Sequence, residues 1–257
     1  MRIEGQDFMV SSRMNELIQI LRNLSITDIF EFEERFDEQF AALKYLYDHM
    51  VEPKIFILLV VVNALVCYQL NCTGEEYWWE FSHYFAGRDL STRNVSELFI
   101  GFISKSRCNR RLRNIKIRRI RKIWPLIVRH INDIEWLVEN QWQFAKIISD
   151  GLRTKLSSKT IVFMVKMLNY ALRIVTNKRI VAPFEADIPL DSRIERISES
   201  LGIKNPLLFW REVSRIVGIP CLHIDSLLWI SLRLIGEEHC HIDSKIGRLV
   251  AYISKIL

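Results

Sequence analysis

Residues 151–176 read GLRTKLSSKTIVFMVKMLNYALRIVT. The polar part, residues 152–158, ends in Ser157 and Ser158, which are residue types that commonly cap helix N-termini. After it, apolar side chains recur at the spacing of one helix face, at Ile161, Val162, Val165, Leu168, Leu172 and Val175. The stretch therefore predicts a polar turn followed by a long helix that begins near Lys159.

Helical spacing recurs along most of the chain, and the alternation that marks a half-buried strand is scarce. Residues 136–148 predict a further helix, and Pro125 is expected to interrupt or kink another. Residues 180–190 contain two prolines and are expected to lack a continuous helix. Helices are expected to resume at about Asp191, at Pro206 and near Asp225. The pattern predicts an all-α fold.

The most apolar stretch, residues 55–70, has Asn63 and Gln69 as its main polar interruptions. Its sixteen residues are fewer than the ~20 that a helix needs to span a bilayer. We therefore expect a buried helix at the centre of the fold and no membrane partner. The N-terminus MRIEGQDFMV has no apolar core of signal-peptide length.

The composition, 49% hydrophobic and 26% charged residues in a chain of 257, is that of a globular protein. The net charge of +6 is unevenly distributed. Residues 105–122 contain ten Lys or Arg and no Asp or Glu, so the rest of the chain is slightly acidic. This stretch is either the solvated face of an amphipathic helix or a surface that contacts phosphates. We favour a combination of the two.

Five cysteines are present, and none forms a C-x-x-C pair. The odd number favours reduced thiols in an intracellular compartment, and we expect a cytoplasmic protein. His239, Cys240 and His241 are adjacent, so their side chains diverge and make a poor metal site. We expect neither a metal nor another cofactor.

Lys159 and Asp191 are the candidate catalytic residues. At a helix N-terminus the partial positive charge disfavours a protonated amine, and a neutral lysine amine can form a Schiff base. Asp191 follows Ile188-Pro189-Leu190 and opens a helix. On position alone, Lys159 is also compatible with a solvated surface lysine, and Asp191 with an N-cap.

Six blocks of the sequence together resemble the archaeal 8-oxoguanine DNA glycosylase/lyase family, within the helix-hairpin-helix DNA glycosylases. They occur in the family's order and span most of the chain. The blocks are DEQF (37–40), NAL (63–65), GEEYW (74–78), KTIVF (159–163), PLDSR (189–193) and LHIDSLLW (222–229).

The resemblance implies that Lys159 is the Schiff-base lysine and Asp191 the catalytic aspartate. It implies that Gln39 reads the edge of the damaged base and that Trp78 and Phe163 pack against that base. It assigns three further pocket residues, Lys166, Asp225 and Trp229. Taken alone, Trp78 is as compatible with core packing as with a pocket, and a phenylalanine such as Phe163 is more often a core residue than a pocket residue. Gln39 taken alone would be a solvated residue. Asp225 and Trp229 are four residues apart, which places both on one helix face.

Five basic residues are predicted to contact the DNA backbone: Arg118, Arg119, Arg121, Arg153 and Lys155. The last two are expected to compensate for a missing feature, because the turn before Lys159 lacks the G-x-G hairpin of many relatives. The gap from Lys159 to Asp191 is also longer than in most of the wider superfamily.

The resemblance implies two helical lobes with a cleft between them. Residues 55–178 are predicted to form one lobe, and residues 1–54 and 179–257 the other, with Gln39 and Asp225 reaching in from this second lobe. The implied function is excision of 8-oxoguanine from double-stranded DNA by a monomeric glycosylase/lyase. The alternatives are the same lysine chemistry on another damaged base, and a non-catalytic helical DNA-binding protein.

Overall fold

Helices build almost all of this chain. The computed structural model describes residues 2–3, 6–7, 11–50, 52–91, 93–235 and 244–257. His239, Cys240 and His241 lie outside these residues. The described helices are α1 (Ser12–Arg22), α2 (Ile26–Phe36), α3 (Glu38–Asp48), α4 (Pro53–Val66), α5 (Gly74–Phe85), α6 (Val95–Lys105), α7 (Arg113–His130), α8 (Ile134–Glu139), α9 (Gln141–Leu152), α10 (Lys159–Thr176), α11 (Ser192–Ser200), α12 (Pro206–Val217), α13 (Cys221–Leu234) and α14 (Ser244–Ile256).

The predicted all-α class is confirmed. In the described ranges, the only extended pairing joins β1 (Arg2–Ile3) to β2 (Gln6–Asp7) in antiparallel register, with Arg2 opposite Asp7. The described core is built mainly by helices, together with a few buried loop residues such as Ile180 and Ile188.

Two compact units make up the fold. The terminal unit consists of Met1–Asp37 and Phe184–Leu257, and the central unit consists of Glu38–Pro183. These bounds differ from the predicted lobes because α3 packs on α4, α5 and α10. Gln39 therefore belongs to the same unit as Lys159, whereas the sequence analysis placed it with Asp191. The cleft between two lobes stays a prediction.

Helix α4 is the core of the central unit, as the apolar run predicted. Its residues Ile55–Val66 are buried, including Asn63, whose side chain accepts a hydrogen bond from the buried Tyr77 hydroxyl. Each fully buried Leu, Ile or Val side chain contributes ~1.5–3 kcal/mol. Helix α10 packs along α4, which fixes the helix that begins at Lys159 against the most apolar element of the chain.

Helix α13 is the core of the terminal unit, where it packs on α2, α11, α12 and α14. A buried polar pair fixes it to α2: His223 Nδ1 lies 2.8 Å from Glu33 Oε1. The His223 ring also meets Phe30 edge-on at 5.3 Å. Because Asp225 and Trp229 lie on α13, these contacts also hold the helix that carries two predicted pocket residues.

Pro125 lies inside α7, which continues through it, so the predicted interruption is absent, while the alternative of a kink stays a prediction. The single helix predicted over 136–148 is two helices, α8 and α9, which meet at Asn140. The Asn140 backbone has φ −123° and ψ 32°, outside the helical region, and its N–H closes α8 on the carbonyl of Trp136.

The expectation of reduced thiols is also wrong, because Cys72 and Cys108 form a disulfide. The two residues are 36 positions apart in sequence, and the fold brings their Cα atoms to 5.3 Å. A disulfide between residues so far apart in sequence cannot be predicted from the spacing of the cysteines alone. Cys67 and Cys221 are free, and Cys240 lies outside the described residues.

Within the described ranges, no single helix combines the length and the apolar character needed to cross a membrane. Helices α12 and α13 reach that threshold only as a pair that is bent by 103°.

Candidate active site

The turn before Lys159 closes without a glycine-rich sequence. Arg153 follows α9 in the left-handed conformation, at φ 54° and ψ 48°, which glycine usually provides at a helix C-terminus. The N–H of Arg153 donates to the Asp150 carbonyl, and that of Thr154 to the Ser149 carbonyl, both at 3.0 Å. A non-glycine residue costs roughly 1–2 kcal/mol in this conformation, and these two hydrogen bonds hold it there.

Helix α10 begins at Lys159, as predicted. Ser158 is its N-cap residue in extended conformation, but the serine side chain makes no capping hydrogen bond. The Ser158 carbonyl accepts the N–H groups of Ile161 and Val162, at 2.9 and 3.0 Å. The side chain of Lys159 is exposed. The amine is therefore accessible at an N-terminus that no described side chain caps.

Cys67 lies in the neighbourhood of Lys159. Burial raises the pKa of the Cys67 thiol to about 12, while the ammonium groups of Lys116 and Lys159 act in the opposite direction. The thiol is therefore protonated at neutral pH, and Lys159 has a neutral neighbour. A single cysteine after a helix gave no signal of this proximity.

The two aromatic residues of the central unit that were predicted to contact the base are neighbours in the structure. The rings of Trp78 and Phe163 are 6.3 Å apart and inclined by 56°. Trp78 is fully buried and also packs edge-on against Phe81, whereas Phe163 is half-buried. The indole Nε1 of Trp78 is buried without a hydrogen-bond partner among the described residues. Trp78 thus belongs to the core, and its side chain also interacts with the Cys67 thiol.

Gln39 lies at the start of α3 and is 4% exposed. Its side chain approaches the first residue of α5: a Cβ atom added to Gly74 would lie 3.4 Å from Gln39 Nε2. A solvated position for Gln39 is therefore excluded. Gln39 and Trp78 are attached to packed helices of one unit, since α3 packs on α5.

Lys166 lies on α10 and is 3% exposed. Its Nζ is 5.9 Å from the centre of the Tyr170 ring. A lysine buried to this degree departs from the usual surface position of this residue type.

Asp191 is the N-cap of α11, as its position suggested. Its Oδ1 accepts the backbone N–H groups of Arg193 and Ile194, both at 3.0 Å. Within the described residues, Oδ2 makes no hydrogen bond or ion pair. The segment before it is anchored by the buried carboxylate of Asp187, which accepts two hydrogen bonds from Arg211 at 2.7 and 3.0 Å. One oxygen of Asp191 is thus fixed by the cap, and the other is available.

Two predicted pocket residues, Asp225 and Trp229, lie on α13 and are 3% and 8% exposed. The guanidinium of Arg193 lies 4.2 Å from the centre of the Trp229 ring. Arg193 follows the cap residue Asp191 by two positions. The start of α11 and the Trp229 side of α13 are therefore in contact.

Each unit gathers part of the predicted site. Gln39, Trp78, Lys159 and Phe163 belong to the central unit, together with Lys166, while Asp191, Asp225 and Trp229 belong to the terminal unit. The functional pairing of Lys159 with Asp191 stays a prediction. Among the described residues, no three His, Cys, Asp or Glu side chains cluster as a metal site would require.

The basic stretch forms α7 and the loop before it. Arg118 and Arg121 are exposed, as are Arg153 and Lys155 in the turn before α10. Arg119 differs because it is half-buried, with its guanidinium 5.6 Å from the centre of the Tyr68 ring. These five positions thus comprise four solvated cations and one packed against an aromatic ring.

Lys116, one turn before Arg119, is fully buried. Its Nζ donates to Asn109 Oδ1 at 2.7 Å and lies 5.0 Å from the centre of the Tyr68 ring. Burial lowers the pKa of Lys116 to about 8. No described carboxylate pairs with it. One residue of the basic stretch is therefore part of the core and not of a phosphate-binding surface.

Each unit taken by itself offers groups that can do chemistry. The central unit carries an accessible amine at Lys159 beside aromatic rings, and a neutral lysine amine can form a Schiff base. The terminal unit carries a carboxylate oxygen at Asp191 that the helix cap does not use. A non-catalytic DNA-binding protein would need only the exposed cations.

Comparison with known proteins gives consistent results. The family described as "AGOG: N-glycosylase/DNA lyase" matches residues 18–255. An N-glycosylase/DNA lyase of Methanococcus maripaludis is 39% identical over 253 residues, which cover 95% of this chain and 97% of the relative. One of Thermococcus kodakarensis is 38% identical over 221 residues, which cover 84% of this chain and 83% of the relative.

A solved structure matches as well. The crystal structure of Pa-AGOG, an 8-oxoguanine DNA glycosylase from Pyrobaculum aerophilum complexed with 8-oxoguanosine, matches with a TM-score of 0.82. The match covers 95% of this chain and 96% of that one, at 26% sequence identity. The chain therefore belongs to the AGOG family, and it is an N-glycosylase/DNA lyase.

Proposed function

We propose that this enzyme excises 8-oxoguanine from double-stranded DNA, with Lys159 as the nucleophile and Asp191 as its catalytic partner. The substrate assignment is supported by the structural match, over 95% of the chain, to a glycosylase whose crystal structure contains 8-oxoguanosine. The residue assignments rest on the sequence blocks around each position and on the local geometry of Lys159 and Asp191.

In the proposed reaction, the damaged nucleotide leaves the duplex and enters the pocket, because its C1′ is inaccessible within the base stack. The neutral amine of Lys159 attacks C1′, the N-glycosidic bond breaks, and its electron pair leaves with the base. The available Oδ2 of Asp191 accepts the proton released by the amine or stabilises the positive charge that develops on the sugar.

Opening of the sugar ring then gives a Schiff base between Lys159 and C1′. The protonated imine makes the C2′ proton acidic, and its removal expels the 3′ phosphate by β-elimination. Hydrolysis of the imine returns the free lysine. This sequence accounts for both the glycosylase and the lyase activity with one nucleophile.

Base recognition in this proposal uses two kinds of contact. Trp78 and Phe163 replace the base stacking of the duplex, which is worth ~1–3 kcal/mol per base. Oxidation converts guanine N7 from an acceptor into a donor, so a pocket acceptor that faces N7–H is left unpaired by normal guanine. Asp225 or a backbone carbonyl fits this role, and Gln39, Lys166 and Trp229 complete the pocket.

The exposed cations Arg118, Arg121, Arg153 and Lys155, together with Arg119, hold the phosphate backbone in this proposal. Such contacts position the enzyme on DNA without reading its sequence. The substrate is therefore distinguished from undamaged duplex in the base pocket and not along the basic surface.

A panel of lesions tests the substrate. Single-turnover excision is measured on matched duplexes that contain 8-oxoguanine, other oxidised or alkylated bases, or normal guanine at the same position. The proposal predicts that 8-oxoguanine is released fastest. Faster release of another lesion would show that this other base is the preferred substrate of the same lysine chemistry. Binding to all duplexes without release of any base would leave only a DNA-binding function.

A further inference from the structure

The Cys72–Cys108 disulfide joins two loops of the central unit, one before α5 and one before α7. Beside it, the backbone N–H of Asn71 donates to the Cys108 carbonyl at 2.9 Å. The N–H of Arg111 donates to Asn71 Oδ1 at 3.3 Å. The two loops are thus joined by one covalent bond and two hydrogen bonds.

The two sulfur atoms differ in access. Cys108 is fully buried, whereas Cys72 is half-buried and lines a surface cavity of about 330 Å³. Thiol–disulfide exchange requires a thiolate to approach one sulfur, so access decides which sulfur is attacked. Here the cavity opens on Cys72.

The cavity has an excess of positive charge. Besides Cys72 and Asn71, it is lined by the exposed Arg107 and Arg110 and by Glu76. Hydrogen bonds from Thr73 lower the pKa of Glu76, so its carboxylate is charged and lies 3.9 Å from Arg107. The two arginines outnumber the one carboxylate, so the net charge of the lining is positive and favours a negatively charged ligand.

We propose that Cys72 is a thiol-exchange site for small anionic thiols, meaning low-molecular-weight thiols with a carboxylate, sulfonate or phosphate group. The incoming thiolate attacks Sγ of Cys72, and a mixed disulfide forms. The Cys72–Cys108 bond breaks, and its electron pair goes to Cys108 Sγ, which takes a proton from water. A second thiolate then attacks the sulfur atom that the first small thiol contributed to the mixed disulfide. A small-molecule disulfide forms, Cys72 leaves as a thiolate, and the two-electron reduction is complete.

Reduction of the disulfide leaves the two loops held by different contacts. The carboxylate of Glu80 accepts hydrogen bonds from Ser106 Oγ and Arg107 N, both at 2.8 Å, and from Cys108 N at 3.4 Å. The Cys108 loop is therefore held without the disulfide. Reduction removes the covalent bond of residues 67–72 to that loop. This segment is then held by the two hydrogen bonds of Asn71 and by the packing of Tyr68 on Lys116 and Arg119.

The test uses the intact chain in its disulfide form and two probe thiols of opposite charge, 2-mercaptoethanesulfonate and cysteamine. Reactions are quenched in acid, and mass spectrometry of alkylated peptides locates the mixed disulfide. The adduct is expected on Cys72. At equal thiolate concentration and low salt, the anionic thiol is expected to react about thirtyfold faster than the cationic one. This is the effect of ~2 kcal/mol, because the net positive charge attracts one probe and repels the other by ~1 kcal/mol each in water.

Replacing Arg107 and Arg110 by Ala is expected to remove this preference, while the matched control Arg93→Ala with Arg129→Ala retains it. Three results would overturn the proposal: both cysteines alkylated in protein that has seen no reductant, an adduct on Cys108, or a charge preference that survives the removal of Arg107 and Arg110. None of them affects the proposed glycosylase function, because excision is measured separately.

Discussion

The carboxylate of Asp191 accepts the backbone N–H of Ile194 through Oδ1 at 3.0 Å, and the same oxygen accepts the N–H of Arg193. A helix cap and a catalytic carboxylate are therefore compatible in one residue, because the cap occupies a single oxygen. The two roles make different demands, since a cap needs only an acceptor whereas the proposed proton transfer needs a base.

Asp191→Asn separates these roles. Asparagine caps helices about as well as aspartate, so we expect a nearly unchanged melting temperature together with an excision rate that is lower by orders of magnitude. Single-turnover excision and thermal melting on one preparation measure both. The matched control is Asp133→Asn, which changes the cap of α8 and is expected to leave excision unchanged. Near-normal excision by a well-folded Asp191→Asn protein would show that Asp191 is only a helix cap and has no catalytic role.

The exposed and packed arginines of α7 are expected to respond differently to substitution. Arg118→Ala with Arg121→Ala removes two solvated cations, so the slope of log K against log salt becomes shallower by roughly 0.9 for each phosphate that is no longer neutralised, without a change in melting temperature. Arg119→Ala also removes a guanidinium from the Tyr68 ring and is expected to cost about 0.5–1 kcal/mol of stability. Equal melting temperatures of the double variant and of Arg119→Ala would contradict this distinction.

Because Lys116 is buried, the free energy of unfolding is expected to increase with pH in the alkaline range. Burial lowers its pKa to about 8 in the folded protein, from 10.5, so between these values the unfolded chain binds more protons. The free energy of unfolding, relative to Lys116→Met, therefore rises with pH across this window, by up to about 3 kcal/mol. Denaturant unfolding at several pH values measures it. The exposed Lys122 provides the control Lys122→Met, and a pH-independent difference for Lys116→Met would refute the explanation.

The disulfide is expected to stabilise the central unit. Cys72 and Cys108 close a loop of 36 residues, for which the reduced chain entropy of the unfolded state gives about 4 kcal/mol. We expect Cys72→Ser with Cys108→Ser to melt at a lower temperature than the parent without reductant, and at the same temperature once the parent is reduced. Cys221→Ser is a control for the removal of a free buried thiol.

The sequence predicted best those features that depend on neighbours along the chain. The helix that begins at Lys159 and the Asp191 cap follow from local periodicity and capping chemistry, and both are confirmed. Features that depend on tertiary contacts were missed. Three such features are the partnership of Cys72 with Cys108, the position of Cys67 near Lys159 and the burial of Lys116. They depend on tertiary contacts, such as the packing of α4 on α7 and α10.

The division of the chain shows the same limit. Nothing in the periodicity of α3 indicates that it packs on α5 and α10, so no feature of the sequence indicated that Gln39 lies in the same compact unit as Lys159. The resemblance to a known family identified the residues around the proposed site, but it did not supply their contacts.

The measurement that tests the central claim most directly is borohydride trapping of the covalent intermediate on duplex DNA with one 8-oxoguanine. The parent enzyme is expected to give a cross-linked adduct, and peptide mapping should place it on Lys159. Lys159→Gln should give no adduct, while Lys178→Gln, which changes an exposed lysine just after the opposite end of α10, traps normally. A trapped adduct from a well-folded Lys159→Gln protein would contradict the account, because the nucleophile would then be another amine.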